Sequence, residues 1–160
     1  MGFIINNKSL INGLDLWKVN MDPLPDINYK KLIYKETNKN LYVCLNKKII
    51  EKINILFDRS IIDKKISESY DLFIQIHKNK PGFKLIPHFD NNTILGIIII
   101  NLIDNKTSTE FYNTDEIKIG QAPLNKGDGV MYLNNYDFKH GYSNTSLTSR
   151  YVCFCTIKKQ

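Results

Sequence analysis

The chain has 160 residues, 42% of them hydrophobic and 24% charged, with a formal net charge of +6. That length suits one domain (1–160) around one core, and that composition excludes a disordered or collagen-like chain. The lysines are scattered, with only doublets such as Lys47-Lys48 and Lys158-Lys159, so a solvated basic surface is expected and nucleic acid is not indicated.

Residues 1–40 are punctuated by Asn-Gly, Asp-Pro and Leu-Pro-Asp, which predicts an irregular lead-in packed outside the core. Within it, Ile4-Ile5 and Leu14-Leu16-Trp17 suit short strands or turns of helix, with Trp17 capping a hydrophobic edge. Leu41 to Leu45 (LYVCL) reads as a strand. Ile49, Ile50, Ile53, Leu56 and Phe57 then recur at three- and four-residue spacing. That pattern predicts one amphipathic helix from an Asn46 N-cap to about Ile62.

From Tyr70 onward the signal is strand. Asp71 to His77 (DLFIQIH) places Gln75, His77 and Asn79 on one face and Ile74 and Ile76 on the other. Pro81-Gly82 marks a turn before Phe83 to Phe89 (FKLIPHF). Leu95 to Leu102 is a continuous apolar run, the mark of a strand buried on both faces. Ser108 to Tyr112, Glu116 to Ile119, Val130 to Leu133, the His140 segment and Arg150 to Ile157 complete the strands. Turn signals separate them, above all Asn125-Lys126-Gly127-Asp128-Gly129. Short strands at such regular spacing predict a mainly β sandwich or barrel. On the last strand, Arg150, Val152 and Phe154 should point inward, and Tyr151, Cys153 and Cys155 outward.

The chemistry gathers at Pro87-His88-Phe89-Asp90-Asn91. On a strand His88 and Asp90 face the same way and Phe89 the other, and the apolar run around them predicts one. His140 lies far downstream, and Arg150 follows it by 10 positions. Two imidazoles and one carboxylate suit Fe(II) and leave one face of the metal open. An Arg nearby offers a rigid fork for a carboxylate. Asn91 suits the start of a turn better than a substrate contact.

At these residues the chain resembles the Fe(II)/2-oxoglutarate dioxygenase superfamily, above all its small prolyl-hydroxylase-like members. The likeness rests on His88-x-Asp90, the distal His140, the basic Arg150, Lys80-Pro81-Gly82 and Gly127-Asp128-Gly129, and spans roughly residues 70–158. It implies a double-stranded β-helix, or jelly roll, over that span, buttressed by the amino-terminal helix. It implies Fe(II) on His88, Asp90 and His140, with 2-oxoglutarate anchored by Arg150, O2 as oxidant and ascorbate as a supporting reductant. The implied reaction converts 2-oxoglutarate and O2 to succinate and CO2 while hydroxylating a C–H bond, as in a prolyl or other amino-acid side chain. Asp90 fits hydroxylation or a demethylation-like reaction, because related halogenases carry a small residue there.

Two departures stand out. Relatives often place a Tyr or Asn near positions 77–79 to contact the cosubstrate. Here His77 and Asn79 stand there, and His77 fits a plain strand histidine equally well. Val152 stands where many relatives have a Ser or Thr. The loops at 91–94, 104–115 and 134–139 are expected at the entrance. A cupin-like isomerase or hydrolase using the same ligands, and a non-catalytic structural jelly roll, remain as alternatives; the first has no obvious need for Arg150, and the second should purify without stoichiometric metal.

Cys44, Cys153 and Cys155 are odd in number and lack zinc spacing, so reduced thiols in a cytoplasm are expected. There is no basic start leading into a long apolar stretch, and Ile97 to Ile100 is too short to cross a bilayer. A soluble protein is therefore expected, with no membrane partner. Heavy use of Lys, Asn and Ile, with Arg59 and Arg150 the only arginines, fits an AT-rich coding sequence such as a phage's.

Overall fold

Strands with alternating or continuous apolar character pair here into two antiparallel sheets, in a computed structural model that describes residues 2–160. The strands are β1 (Gly2–Ser9), β2 (Leu16–Asp22), β3 (Tyr34–Asn38), β4 (Leu41–Cys44), β5 (Tyr70–Asn79), β6 (Lys84–His88), β7 (Ile94–Asn101), β8 (Glu110–Tyr112), β9 (Lys118–Gln121), β10 (Asp128–Leu133), β11 (Lys139–Ser143) and β12 (Arg150–Lys159). The larger sheet runs β1-β2-β10-β7-β12-β5-β4-β3 and the smaller β6-β11-β8-β9. Consecutive strands β5 to β12 thus feed both sheets, as a double-stranded β-helix requires.

The large sheet is covered on both faces, which explains the unbroken apolar run of β7. Ile97 and Ile99 point between the sheets, toward Phe111 and Val130. Ile98 and Ile100 point the other way, into a second core closed by Ile53, Phe57 and Ile62. That second core corrects one expectation about β12. Tyr151, Cys153 and Cys155 do point out of the barrel, but they meet protein rather than water and are 6%, 0% and 0% exposed. Burial pushes the Cys155 thiol up to about 12, so these cysteines are packed, protonated apolar groups. All three cysteines are free.

The amino-terminal segment is more regular than its turn residues suggest. β1 and β2 extend the large sheet from β10. Trp17, Val19 and Met21 alternate with Lys18 and Asn20 and bury one face, so Trp17 lies in the core rather than at an edge. The helix breaks into α1 (Lys47–Asn54) and α2 (Arg59–Asp63). Asp58 causes the break by capping a new start, its carboxylate accepting from the Ser60 amide at 2.9 Å. Asn46 precedes α1 but caps nothing with its side chain; its Oδ1 instead accepts from the Ile33 amide at 2.7 Å. No described helix is long and apolar enough to cross a membrane.

The β10–β7 pair has no room for a side chain at Gly129. A Cβ there would strike the Ile99 carbonyl and come within 2.8 Å of the Ile100 Cα. Both are backbone atoms of a central strand and cannot step aside. Gly129→Ala is expected to cost about 2 kcal/mol or more, lowering Tm by roughly 4–8 °C in a thermal melt.

Candidate active site

β6 and β11 are neighbours in the small sheet, and their register sets His140 directly opposite His88. The rings lie 4.4 Å apart, centre to centre. β6 ends at His88, so Asp90 belongs to the following loop rather than to the strand. Asn134 braces that loop: its Nδ2 lies 3.0, 2.9 and 3.1 Å from the carbonyls of Asp90, Asn91 and Ile94. Asn91 does start a turn there, its Oδ1 accepting from the Thr93 amide at 3.0 Å.

The three side chains converge. Asp90 Oδ1 lies 3.7 Å from His88 Nε2 and 3.4 Å from His140 Nε2. Ligands about 2.0–2.2 Å from a shared metal sit roughly 3–3.5 Å from each other, so the spacing is close to that of a metal site. Among the described residues these three form the one cluster of His, Cys, Asp and Glu close enough to hold an ion. His88 Nδ1 donates to the Ile86 carbonyl at 2.7 Å, which fixes the ring with Nε2 turned toward Asp90. Burial alone would push the Asp90 carboxyl up, but the facing imidazoles of His140 and His88 hold it well below the usual carboxylate range. Its Oδ2 is buried without a hydrogen-bond partner. An ionised, under-satisfied buried carboxylate between two imidazoles is a donor set that fits a divalent cation.

The triad opens into a cavity of about 480 Å³ whose wall also includes His77, Asn79, Thr109, Tyr132, Tyr142 and Arg150. Arg150 begins β12 opposite Asn79 and is 5% exposed. Its Nη2 donates to Thr109 Oγ1 at 3.0 Å, and its guanidinium lies 3.9 Å over the Tyr142 ring. It makes no ion pair among the described residues, and its Nε is buried without a partner. Arginine stays protonated even here, so the cavity contains a fixed positive charge without a counter-ion. Burial and then the Arg150 charge hold His77 down to about 4. The neutral ring stacks on Phe154 at 4.7 Å, and its Nε2 lies 2.8 Å from Gln75 Oε1.

The structure therefore brings His88, Asp90, His140, Arg150, His77 and Asn79 to one cavity. Thr109, Tyr132 and Tyr142 join them without having been foreseen. Their signal was faint: each sits at an inward position of a short strand or its approach, and only the pairing of strands reveals which positions face the cavity. The entrance differs from expectation. Asn38, Lys39 and Leu41 of the β3–β4 hairpin and Phe83, Lys84 and Leu85 supply the rim. Residues 91–94 and 134–139 contribute nothing to the lining, and Thr109 alone comes from 104–115. The hairpin tip reaches the rim because Asn40 turns the chain at a φ of 63° and its carbonyl accepts from the Lys80 amide at 2.9 Å.

The chain folds as a double-stranded β-helix, with a His-Asp-His cluster at the mouth of its cavity and a buried arginine within it. Solved structures share that fold with this chain. One is a prolyl-4-hydroxylase of Pseudomonas putida, 10% identical over 79% of this chain and 78% of its own, with a TM-score of 0.58. Another is an oxidoreductase of the 2OG-Fe(II) oxygenase family from Burkholderia pseudomallei, 15% identical over 82% and 74%, with a TM-score of 0.62. A third is a viral collagen prolyl hydroxylase of Paramecium Bursaria Chlorella virus-1 in its 2OG complex, 15% identical over 81% and 80%, with a TM-score of 0.55. No family model and no curated protein matches the chain.

Proposed function

We propose that this protein is an Fe(II)- and 2-oxoglutarate-dependent dioxygenase that hydroxylates a C–H bond, and that a prolyl side chain in a peptide is its substrate. The observation that carries the reading is the conjunction in one cavity of the His88-Asp90-His140 cluster and the buried Arg150, which faces no carboxylate among the described residues and whose Nε has no partner. A hydrolase or cupin-like isomerase has use for the first but not the second. The shared fold of the prolyl hydroxylases supports the substrate class.

His88, Asp90 and His140 would hold the metal, and Fe(II) with 2-oxoglutarate would supply the oxidising chemistry: 2-oxoglutarate, O2 and R–H give succinate, CO2 and R–OH. The chain's own contribution is placement. The Ile86 carbonyl orients the His88 ring and Asn134 fixes the Asp90 loop. Arg150 receives the distal carboxylate of the cosubstrate in a pocket where water competes weakly. Three protein ligands leave room for both the cosubstrate and O2.

Slow succinate release without any substrate is the expected signature, followed under air with Fe(II), ascorbate and 2-oxoglutarate. Prolyl peptides should accelerate it and gain one oxygen atom by mass spectrometry. Absence of release above a metal-free control, together with absence of 2-oxoglutarate binding, would favour the isomerase reading.

A further inference from the structure

The cavity opens beside two strands that each keep a free edge. β3 ends the order of the large sheet and β6 begins that of the small one. β3 pairs with β4 alone and β6 with β11 alone. The rows of the large sheet show which hairpin residues look into the opening, because paired residues share a face. Leu41, Asn79 and Arg150 form one row, and all three line the cavity. Lys35, Val43, His77 and Val152 form the next row on that face.

The charge at this opening has one sign. Lys35, Lys39 and Lys84 are exposed, and the last two belong to the cavity wall. None of them makes an ion pair among the described residues, whereas Lys18, Lys118, Lys139 and Lys159 do. The β3–β4 hairpin and the segment from Lys80 to Phe89 contain one acid, Glu36, and its row with Tyr42 puts it on the opposite face. Asp90 is the one acid in the wall, and the two histidines occupy it. Beside Lys84 stand Leu85 and Ile86, 45% and 68% exposed. Free cations, exposed aliphatic side chains and an unpaired strand edge suit an extended, acidic peptide. A nucleic-acid strand would need rings on which to stack its bases, and Tyr42 and Tyr151 stand with Lys78 on the other face of the sheet.

We propose that the substrate is an acidic peptide, whose carboxylates Lys35, Lys39 and Lys84 receive while Leu85 and Ile86 meet its apolar side chains. The inference rests on the reading of this site as an oxygenase that acts on a peptide. Lys84 begins the strand that His88 ends, so a peptide lying along β6 joins the charged rim to the metal cluster. A strand rises about 3.3 Å per residue, so a carboxylate held at Lys84 stands no more than about four residues from the residue that is oxidised.

Short single-proline peptides test this, with Glu on both sides of the proline and with Gln or Lys at the same positions. Each is incubated with Fe(II), ascorbate and 2-oxoglutarate, and kcat/KM is read from the oxygen gained by mass spectrometry. Exposed ion pairs contribute little singly, so the parent should prefer the Glu peptide to the Gln peptide by about tenfold at low ionic strength, and by less as salt is added. The double variant Lys39→Glu/Lys84→Glu should reverse the order and favour the Lys peptide. Lys39→Gln/Lys84→Gln should level it without reversal. Both lysines are exposed and make no side-chain bond among the described residues, so both variants should melt with the parent. Glu and Gln peptides turned over within twofold of each other, or a preference that survives in the charge-reversed variant, would overturn the inference. So would turnover of free proline without that of any peptide, or an oligonucleotide that competes better than the Glu peptide. A parent that neither binds 2-oxoglutarate nor releases succinate would overturn the oxygenase reading and this inference with it. A parent that releases succinate without discriminating between the peptides would overturn the acidic substrate alone.

Discussion

His140→Ala is expected to abolish measurable Mn(II) binding at the cluster. His140 supplies one of only two nitrogen donors, and its Nε2 lies 3.4 Å from Asp90 Oδ1. Removing it leaves two ligands on one short segment, His88 and Asp90, and two ligands seldom compete with a hydrated ion. The variant also loses the imidazole that does most to offset the burial of Asp90, so the carboxyl becomes harder to ionise and a poorer ligand. The ring packs against Tyr132 and His88, so truncation should cost about 1–3 kcal/mol of stability. His140→Gln, which keeps much of the volume but lacks the imidazole, separates the two effects: it should melt nearer the parent and still fail to bind. His88→Ala should match the loss of metal. Calorimetry showing unchanged Mn(II) affinity in both His→Ala variants would overturn the assignment of these ligands.

The sequence made this cluster legible because its constraint is local at one end and topological at the other. His88 and Asp90 are two residues apart, so any extended backbone brings them together. His140 had to be joined to them by pattern, and the β6–β11 register then set it opposite His88. Strand positions from Tyr70 onward were readable for the same reason: period-two alternation and turn residues are local signals. Other features were not readable because they depend on what covers what. Cys153 and Cys155 face out of the barrel as their alternation requires, but only the packing of α1 and α2 turns that face into a core. β1 and β2 were obscured by their turn residues, although the Trp17, Val19, Met21 alternation was present. The helix split hinged on Asp58, a residue that reads as an ordinary polar position until Ser60 is seen to donate to it. Tyr132 and Thr109 entered the site through long-range pairing, which single-strand patterns do not encode.

The second large effect is expected at Arg150. Its guanidinium is buried beside Thr109 and Tyr142 with no carboxylate opposite. A buried cation without a counter-ion is costly and persists where a ligand supplies the missing charge. The distal carboxylate of 2-oxoglutarate would meet it in a charge-assisted, two-pronged pair. Arg150→Ala would leave that carboxylate desolvated and alone, a loss on the order of 2–5 kcal/mol in cosubstrate binding. Each 1.4 kcal/mol is about tenfold, so the affinity should fall by roughly thirty-fold or more. Arg150→Lys should lose less, since it keeps the charge and gives up the fork. Mn(II) affinity without cosubstrate should barely change in either variant, because Arg150 contributes no ligand atom to the cluster. The ligand-free Arg150→Ala protein should keep much of its stability: the contact with Tyr142 is lost, but so is the cost of an unpaired buried charge. An exposed surface arginine would behave differently, changing binding by only about 0–1 kcal/mol. Titration of the Mn(II)-loaded proteins with 2-oxoglutarate separates the cases, and an affinity within about threefold of the parent for Arg150→Ala would mean that the anion is held elsewhere in the cavity.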